Sequence, residues 1–215
     1  MLPRGLVRRW AGLAAIALVT ACSDGDVVLG AGSAGPVTDP VGADPVEFGP
    51  LPDFRLVSER GAEITRESLV GRPLVIAALF STCTGPCPSI ARGLKALQES
   101  LRDTDVLLVA VSVDPGHDTP EVLARYADHQ GADPERWIFL TGEEPQVFDL
   151  MQHGFYQAVQ RAAPDAPEGE RVTHSTRLLA VDRVGRRRGW YGGTDPADLA
   201  KLEARMRALA AEPRR

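Results

Sequence analysis

The sequence predicts an α/β fold with a mixed central sheet flanked by helices, on three observations. Leu74–Phe80 and Val106–Val113 are continuous runs of small and branched apolar residues, the pattern of strands buried on both faces. Between them Ile90, Leu94, Leu97 and Leu101 recur at helical spacing. Strand, helix and strand in that order imply a right-handed parallel crossover. Beyond them lie two more strand-like segments joined by a tight turn, then a helical stripe, which closes such a sheet with an antiparallel hairpin and a last helix.

Taken in order, Phe54 and Leu56 alternate with polar residues, Glu59-Arg60-Gly61 reads as a turn and Glu63-Ile64-Thr65 as a short return strand, giving an N-terminal β-hairpin. The Leu74–Phe80 strand follows Gly71-Arg72-Pro73. The next helix spans Pro88–Leu101, and its first-turn proline lacks only an N–H that would be unpaired there anyway. After Val106–Val113, Thr119 is placed as an N-cap and Pro120 as the first residue of a helix to about Gln130, with Val122, Leu123 and Tyr126 inward. Trp137–Leu140 reads as a strand and Glu143–Gln152 as a helix carrying Val147, Phe148 and Met151. Arg161–Arg171, built of Ala, Pro, Asp, Glu and Gly, reads as a mobile surface loop. Thr176–Asp182 and Arg186–Tyr191 pair across the turn Arg183-Val184-Gly185, and Asp195-Pro196 starts a helix with Leu199, Leu202, Met206 and Leu209 on its apolar stripe. This is the element order of a thioredoxin-like, three-layer fold.

The first fifty residues have a different character. Arg4, Arg8 and Arg9 precede the apolar run Trp10–Ala21, and Val19-Thr20-Ala21-Cys22 ends it in small residues before a cysteine. Residues 1–21 therefore look like a lipoprotein-type signal peptide, with cleavage before Cys22 and lipid on its sulfur. The apolar run is shorter than the roughly 20 residues of a comfortable membrane span. Residues 22–50 then form a Gly/Ala/Pro-rich tether holding the domain, residues 51–211, off the membrane, and 212–215 are a tail. An exported, membrane-anchored protein facing the periplasm or cell exterior follows. The net charge of −5 argues against a nucleic-acid partner.

Chemistry concentrates at Cys83 and Cys87, placed at the junction between a strand and a helix. Unpaired N–H groups at a helix start favour a thiolate, so both thiols are expected to be more reactive than buried structural cysteines. With Cys22 lipidated, they are the remaining two of three cysteines. Soft thiolates select Cu(I), zinc or iron–sulfur clusters, but structural zinc and clusters commonly take four protein ligands, which this chain does not supply. Two sulfurs and one imidazole suit a three-coordinate copper site. Of the four histidines, His129 reads as solvated on a helix, His153 as a helix-end cap, and His117 as an exposed loop residue near the site. His174, between a loop and a strand, is favoured by position.

Phe80-Ser81-Thr82-Cys83-x-x-x-Cys87-Pro88, then Val111-Ser112-Val113-Asp114-Pro115-x-x-Asp118-Thr119-Pro120 with Leu123 and Tyr126, then Thr173-His174-Ser175 running into Leu179-Ala180-Val181-Asp182-x-x-Gly185, together resemble the SCO/SenC family. The resemblance spans Pro52 to Leu209. It implies a membrane-anchored thioredoxin-like domain that binds copper, as Cu(I) and/or Cu(II), through Cys83, Cys87 and His174. It also implies a role in assembling the dinuclear copper centre of cytochrome c oxidase or a related copper enzyme, by copper delivery or by reduction of that centre's cysteines. The implied partners are the copper-centre subunit, an upstream copper donor and the membrane, through the lipid. Asp114 and Asp118 match the family's acidic loop, either as secondary ligands or as backbone hydrogen-bonding groups. Thr84-Gly85-Pro86 departs from the family pattern, in which a proline commonly follows the first cysteine.

A metal-delivery protein is not an enzyme in the strict sense. The rival reading, a membrane-tethered thiol–disulfide oxidoreductase, uses the same Cys83 and Cys87 as a redox dithiol, although a dedicated exchanger usually carries Cys-x-x-Cys and leaves His174 without a role. The Pro-x-x-x-Thr-x-x pattern of a thiol peroxidase is absent around Cys83, and a disulfide closing so small a loop would be a weak staple. Arg186-Arg187-Arg188 reads either as a dock for an acidic partner or as a charged edge strand that discourages aggregation.

Overall fold

The computed structural model describes residues 48–213. The expected signal peptide, Cys22 and the expected tether up to residue 47 lie outside the described residues. Strands β1 (Arg55–Ser58) and β2 (Glu63–Thr65) form the N-terminal hairpin, followed by the short helix α1 (Arg66–Leu69). Strand β3 (Leu74–Leu79), helix α2 (Cys87–Ser100) and strand β4 (Leu107–Ser112) make the crossover, with β3 and β4 parallel over six registered pairs from Leu74↔Leu107 to Leu79↔Ser112. Helix α3 (Pro120–Gln130) leads to β5 (Trp137–Thr141), parallel to β4. Helix α4 (Glu144–Asp149) widens into a π-turn over Leu150–Gly154. Strands β6 (Val159–Arg161) and β7 (Val172–His174) precede the closing hairpin of β8 (Arg177–Val181) and β9 (Arg187–Gly192) and the last helix α5 (Pro196–Ala211).

The main sheet has seven strands in the order β2-β1-β5-β4-β3-β8-β9. It is mixed, because β3, β4 and β5 run parallel while β8, β9, β1 and β2 are joined antiparallel. All six residues of β3 and all six of β4 are buried, which is why both read as unbroken apolar runs and not as alternating ones. Helix α2 buries Ile90, Leu94 and Leu97, and α5 buries Leu202, Met206 and Leu209. Fully burying one such side chain stabilises by about 1.5–3 kcal/mol, so the sheet and these two stripes supply most of the core. Thr119 caps α3 as expected, its hydroxyl accepting from the Val122 N–H at 3.4 Å. Asp195 caps α5 by accepting from the Ala197 N–H at 2.9 Å. On α3 the buried pair is Leu123 and Ala127, while Val122 and Tyr126 are half-buried.

Three segments differ from the sequence expectation. The Arg161–Arg171 stretch is bounded by an antiparallel ladder, β6 with β7, pairing Val159↔His174 and Arg161↔Val172. Composition alone hides such short strands because three residues carry too little alternation. Phe48–Pro50, assigned to the tether, lies along β9: the Phe48 N–H donates to the Arg187 carbonyl at 3.2 Å and the Arg187 N–H to the Gly49 carbonyl at 3.0 Å. Phe48 also meets the Trp190 ring edge-on at 4.8 Å.

Within the arginine run, Arg187 and Arg188 are interior groups and neither a docking patch nor an edge defence. Arg187 is 6% exposed, donates from Nη2 to the Phe48 carbonyl at 2.9 Å and from Nη1 to the Gly154 carbonyl, and lies 4.4 Å over the Tyr156 ring. Arg188, equally buried, pairs with Asp182 at 3.0 Å. Carbonyls of Phe48 and Gly154 that would otherwise be orphaned give the Arg187 guanidinium a reason to be inside.

Candidate metal centre

Strand β3 ends at Leu79, and the chain turns at once, with the Cys83 N–H donating to the Phe80 carbonyl at 3.3 Å. Cys87 is then the first residue of α2, behind Pro86. The two thiols are thus beyond the carboxyl ends of the parallel strands, where open α/β sheets collect their ligands. Cys83 is half-buried and Cys87 is 1% exposed; both are free thiols.

His174 arrives from the end of β7. Its Nε2 is 3.2 Å from Cys87 Sγ, and its ring meets Phe80 edge-on at 5.9 Å and 77°. Its Nδ1 is 2.9 Å from the Ser175 carbonyl, which can only accept, so Nδ1 carries a proton and Nε2 is the atom turned to the sulfurs. The donor atoms of Cys83, Cys87 and His174 all lie within 4.8 Å of one another, and among the described residues this is the one such grouping. Two sulfurs and an imidazole nitrogen around one point are a soft donor set that fits a single copper ion.

The thiols are not equivalent. Burial works to raise the Cys83 pKa, but contacts with the His174 and Cys87 side chains and hydrogen bonds from the Cys87 and Gly85 N–H groups outweigh it and bring it down to about 7. Burial pushes the Cys87 thiol up, and its hydrogen bond to Cys83 with the charge on that sulfur pushes it further. The expectation that both thiols would be activated is therefore corrected: the helix-start N–H groups serve Cys83, which precedes the helix, while Cys87 lies inside the protein.

The two aspartates take supporting positions. Asp118, fully buried, accepts from the Ser81 N–H at 3.0 Å, from the Ser81 hydroxyl, and from the Ser112 hydroxyl at 2.5 Å. It ties the loop carrying Cys83 to the end of β4. Asp114, 2% exposed, faces Arg161 at 3.3 Å and Arg171 at 3.9 Å. Neither belongs to the three-atom group. His117 pairs with Glu168 at 3.3 Å, His153 with Asp149 at 2.9 Å, and His129 is exposed on α3. Sequence reasoning missed Ser81, Ser112 and the Ser175 carbonyl, whose roles depend on which strand ends meet.

Cys83 and His174 open onto a groove of about 630 Å³, walled on one side by Thr84, Gly85 and Pro86 and on the other by residues from Ala162 to Thr173. The family model described as SCO1/SenC matches residues 48–210. The chain belongs to the SCO1/SenC family. Among its relatives in that family, the SCO1 protein homolog of Bacillus subtilis is 28% identical over 156 residues, covering 71% of this chain and 78% of that one. The solved structure of a SCO1/SenC family lipoprotein from Bacillus anthracis superposes with a TM-score of 0.69 at 25% identity, covering 76% of this chain and 97% of its own. Two further Sco structures share the fold. One is BsSco, described as a member of the Sco family of cytochrome c oxidase assembly proteins with a disulfide switch, at TM-score 0.67 and 24% identity, covering 79% and 98%. The other is yeast Sco1 with copper bound, at TM-score 0.63 and 21% identity, covering 77% and 91%. The described residues of this SCO1/SenC chain contain no helix long and apolar enough to cross a membrane.

Proposed function

We propose that this protein binds copper at Cys83, Cys87 and His174 and serves in assembling the dinuclear copper centre of cytochrome c oxidase or a related copper enzyme. The observation that carries the reading is the convergence of two thiol sulfurs and an oriented imidazole Nε2 within 4.8 Å. With no fourth protein ligand in the group, the ion stays accessible from the groove to an incoming ligand, as a delivery site requires. Copper bound in a Sco relative and the Sco family's part in oxidase assembly support the assignment. Soft sulfur donors favour Cu(I), and the imidazole extends the site towards Cu(II).

Anaerobic Cu(I) titration of the domain tests this. Wild type is expected to bind one copper tightly and His174→Ala to bind more weakly. A wild type that binds none sinks the reading, and so does a His174→Ala domain that behaves like wild type with both copper states.

A second reading, thiol–disulfide exchange, is favoured by one observation, the opposite shifts of the two thiols. A half-exposed thiolate beside a buried thiol is the pairing a disulfide exchanger uses, one sulfur attacking and the other resolving. Disulfide turnover that ignores His174 would support it over copper handling.

We place the domain at the end of a tether on Cys22, exported and lipid-anchored. A relative described as a lipoprotein supports this, and mass spectrometry of membrane-extracted protein is expected to find lipid on Cys22.

A further inference from the structure

The segment between β6 and β7 does more than wall the groove. Its 3₁₀ turn, Glu168–Glu170, closes directly on the loop that carries Cys83. The Thr84 N–H donates to the Gly169 carbonyl at 3.3 Å, and the Thr82 hydroxyl donates to the Glu168 carbonyl at 3.3 Å. Thr82 and Thr84 flank Cys83, so both neighbours of the half-exposed thiol are fastened to one turn. A Cβ on Gly169 would lie 2.6 Å from Thr84 Cγ2, 2.7 Å from its hydroxyl and 2.9 Å from the Thr82 carbonyl oxygen. Gly169 is not held at a positive φ, so it is needed for this close approach and not for its backbone freedom.

The turn is itself secured from outside the dithiol. Glu168 pairs with His117 Nδ1 at 3.3 Å and with Arg171 at 3.8 Å. Arg171 and Arg161, at the two ends of the segment, both face the buried carboxylate of Asp114, and Arg161 is also paired with Glu144. The segment therefore has two fixed ends and a fixed tip, and the tip holds the Thr84 backbone N–H on one side of Cys83 and the Thr82 hydroxyl on the other.

We propose that Gly169 and Thr84 form a latch that holds Cys83 in place beside Cys87 and His174, which makes both of them positioning residues for the dithiol. The inference rests on that dithiol being the working group of the protein. With the latch closed, both neighbours of Cys83 are held, Thr84 by its N–H and Thr82 by its hydroxyl, while the sulfurs remain two separate thiols. A disulfide needs its sulfurs at about 2.05 Å, so these free thiols must still close on each other to form one; opening the latch frees the Cys83 loop for that movement and favours the disulfide.

Two readouts on copper-free protein test the latch, so a failure to bind copper would sink the copper reading and leave this one tested. The first is hydrogen exchange at the Thr84 amide. The second is the dithiol–disulfide equilibrium against glutathione, in which the two thiols pass two electrons and two protons to one oxidised glutathione and yield two reduced molecules. In Gly169→Ala and in Thr84→Pro, which lacks the N–H donor, the equilibrium is expected to move about two- to tenfold towards disulfide, the worth of one net hydrogen bond. Thr84 exchange in Gly169→Ala should rise by a similar factor. Thr84→Ser keeps the N–H and should track wild type. So should Gly116→Ala, because a Cβ there meets nothing within 4 Å. Should one variant fail to fold, the other still decides. Wild-type exchange at Thr84 in Gly169→Ala would overturn the latch, and an unmoved equilibrium in the folded variants would overturn its positioning role.

Discussion

Cys87 Sγ lies 3.2 Å from His174 Nε2 across 87 residues of sequence, with the far side of the imidazole fixed by the Ser175 carbonyl at 2.9 Å. The contact exists because β7 ends where α2 begins, and because the imidazole packs against Phe80 in a T-shaped contact. An imidazole held at Nδ1 and packed against Phe80 has lost much of its freedom before any ion arrives, which lowers the entropy cost of binding. Losing a partner that merely orients a ligand costs about 10–100-fold in metal affinity, so loss of the ligand itself in His174→Ala should cost at least about 100-fold. Competition against a Cu(I) chelator measures it. Because the ring is half-exposed, the copper-free variant should unfold close to wild type.

The unequal thiols predict unequal chemistry. Thiolate is the reactive form, and the Cys83 pKa is lowered to about 7, so its alkylation rate should climb with pH and reach half its plateau near pH 7, below the ordinary thiol range near 8.5. Cys87, raised by burial and by its neighbour, should stay unlabelled at that pH until the protein unfolds. Peptide mass spectrometry of iodoacetamide-treated protein over pH 5–9 reads both. Equal labelling rates would contradict the asymmetry.

Arg188 and Asp182, each nearly inaccessible and 3.0 Å apart, predict a stability effect far from any partner. Removing one member of a buried pair strands the other charge, and Arg188→Met should therefore cost about 3–5 kcal/mol. Asp182 loses little of its other duty, since its Oδ1 still accepts from the Val184 and Arg186 N–H groups that shape the turn before β9. Urea unfolding of the copper-free domain checks the figure, and a cost below about 1 kcal/mol would return the arginine run to the surface role its composition suggests.

Elements whose burial is set by their own residues were legible in the sequence. β3 and β4 announce themselves because both faces are covered, and α3 and α5 because Thr119-Pro120 and Asp195-Pro196 are local start signals. The dithiol was legible for the same reason, since strand, turn and helix are contiguous there. What lay beyond reach depends on distant pairing. Three-residue strands β6 and β7 exist through each other, Arg187 is buried because Phe48 and Gly154 bring carbonyls to it, and the different burial of Cys83 and Cys87 follows from where α2 starts. Position favours His174 over His117 in the sequence, but which ring nitrogen turns to the sulfurs is set by the Ser175 carbonyl, which no side-chain pattern reveals.

Asp118 links the fold to the site and gives the last prediction. Its carboxylate takes hydrogen bonds from the Ser81 N–H, the Ser81 hydroxyl and the Ser112 hydroxyl, with no access to water. Asp118→Ala would take the acceptor from the half-buried Ser81 N–H and hydroxyl and from the buried Ser112 hydroxyl, at about 1–3 kcal/mol for the first and less for hydroxyls that can rotate to other acceptors, or about 2–4 kcal/mol together. Asp118→Asn keeps one carbonyl oxygen as acceptor, so it should recover part of that loss. The same substitutions should also disturb the thiols, because Ser81 stands two residues before Cys83 and the charge of Asp118 contributes to holding the Cys87 thiol protonated. Labelling of Cys87 should therefore begin at lower pH in Asp118→Asn than in wild type, with Cys83 remaining the faster site. A carboxylate that only ties the Ser81 loop to the end of β4 would leave that profile where it was, and an unchanged Cys87 onset in a folded Asp118→Asn domain would confine the residue to stability.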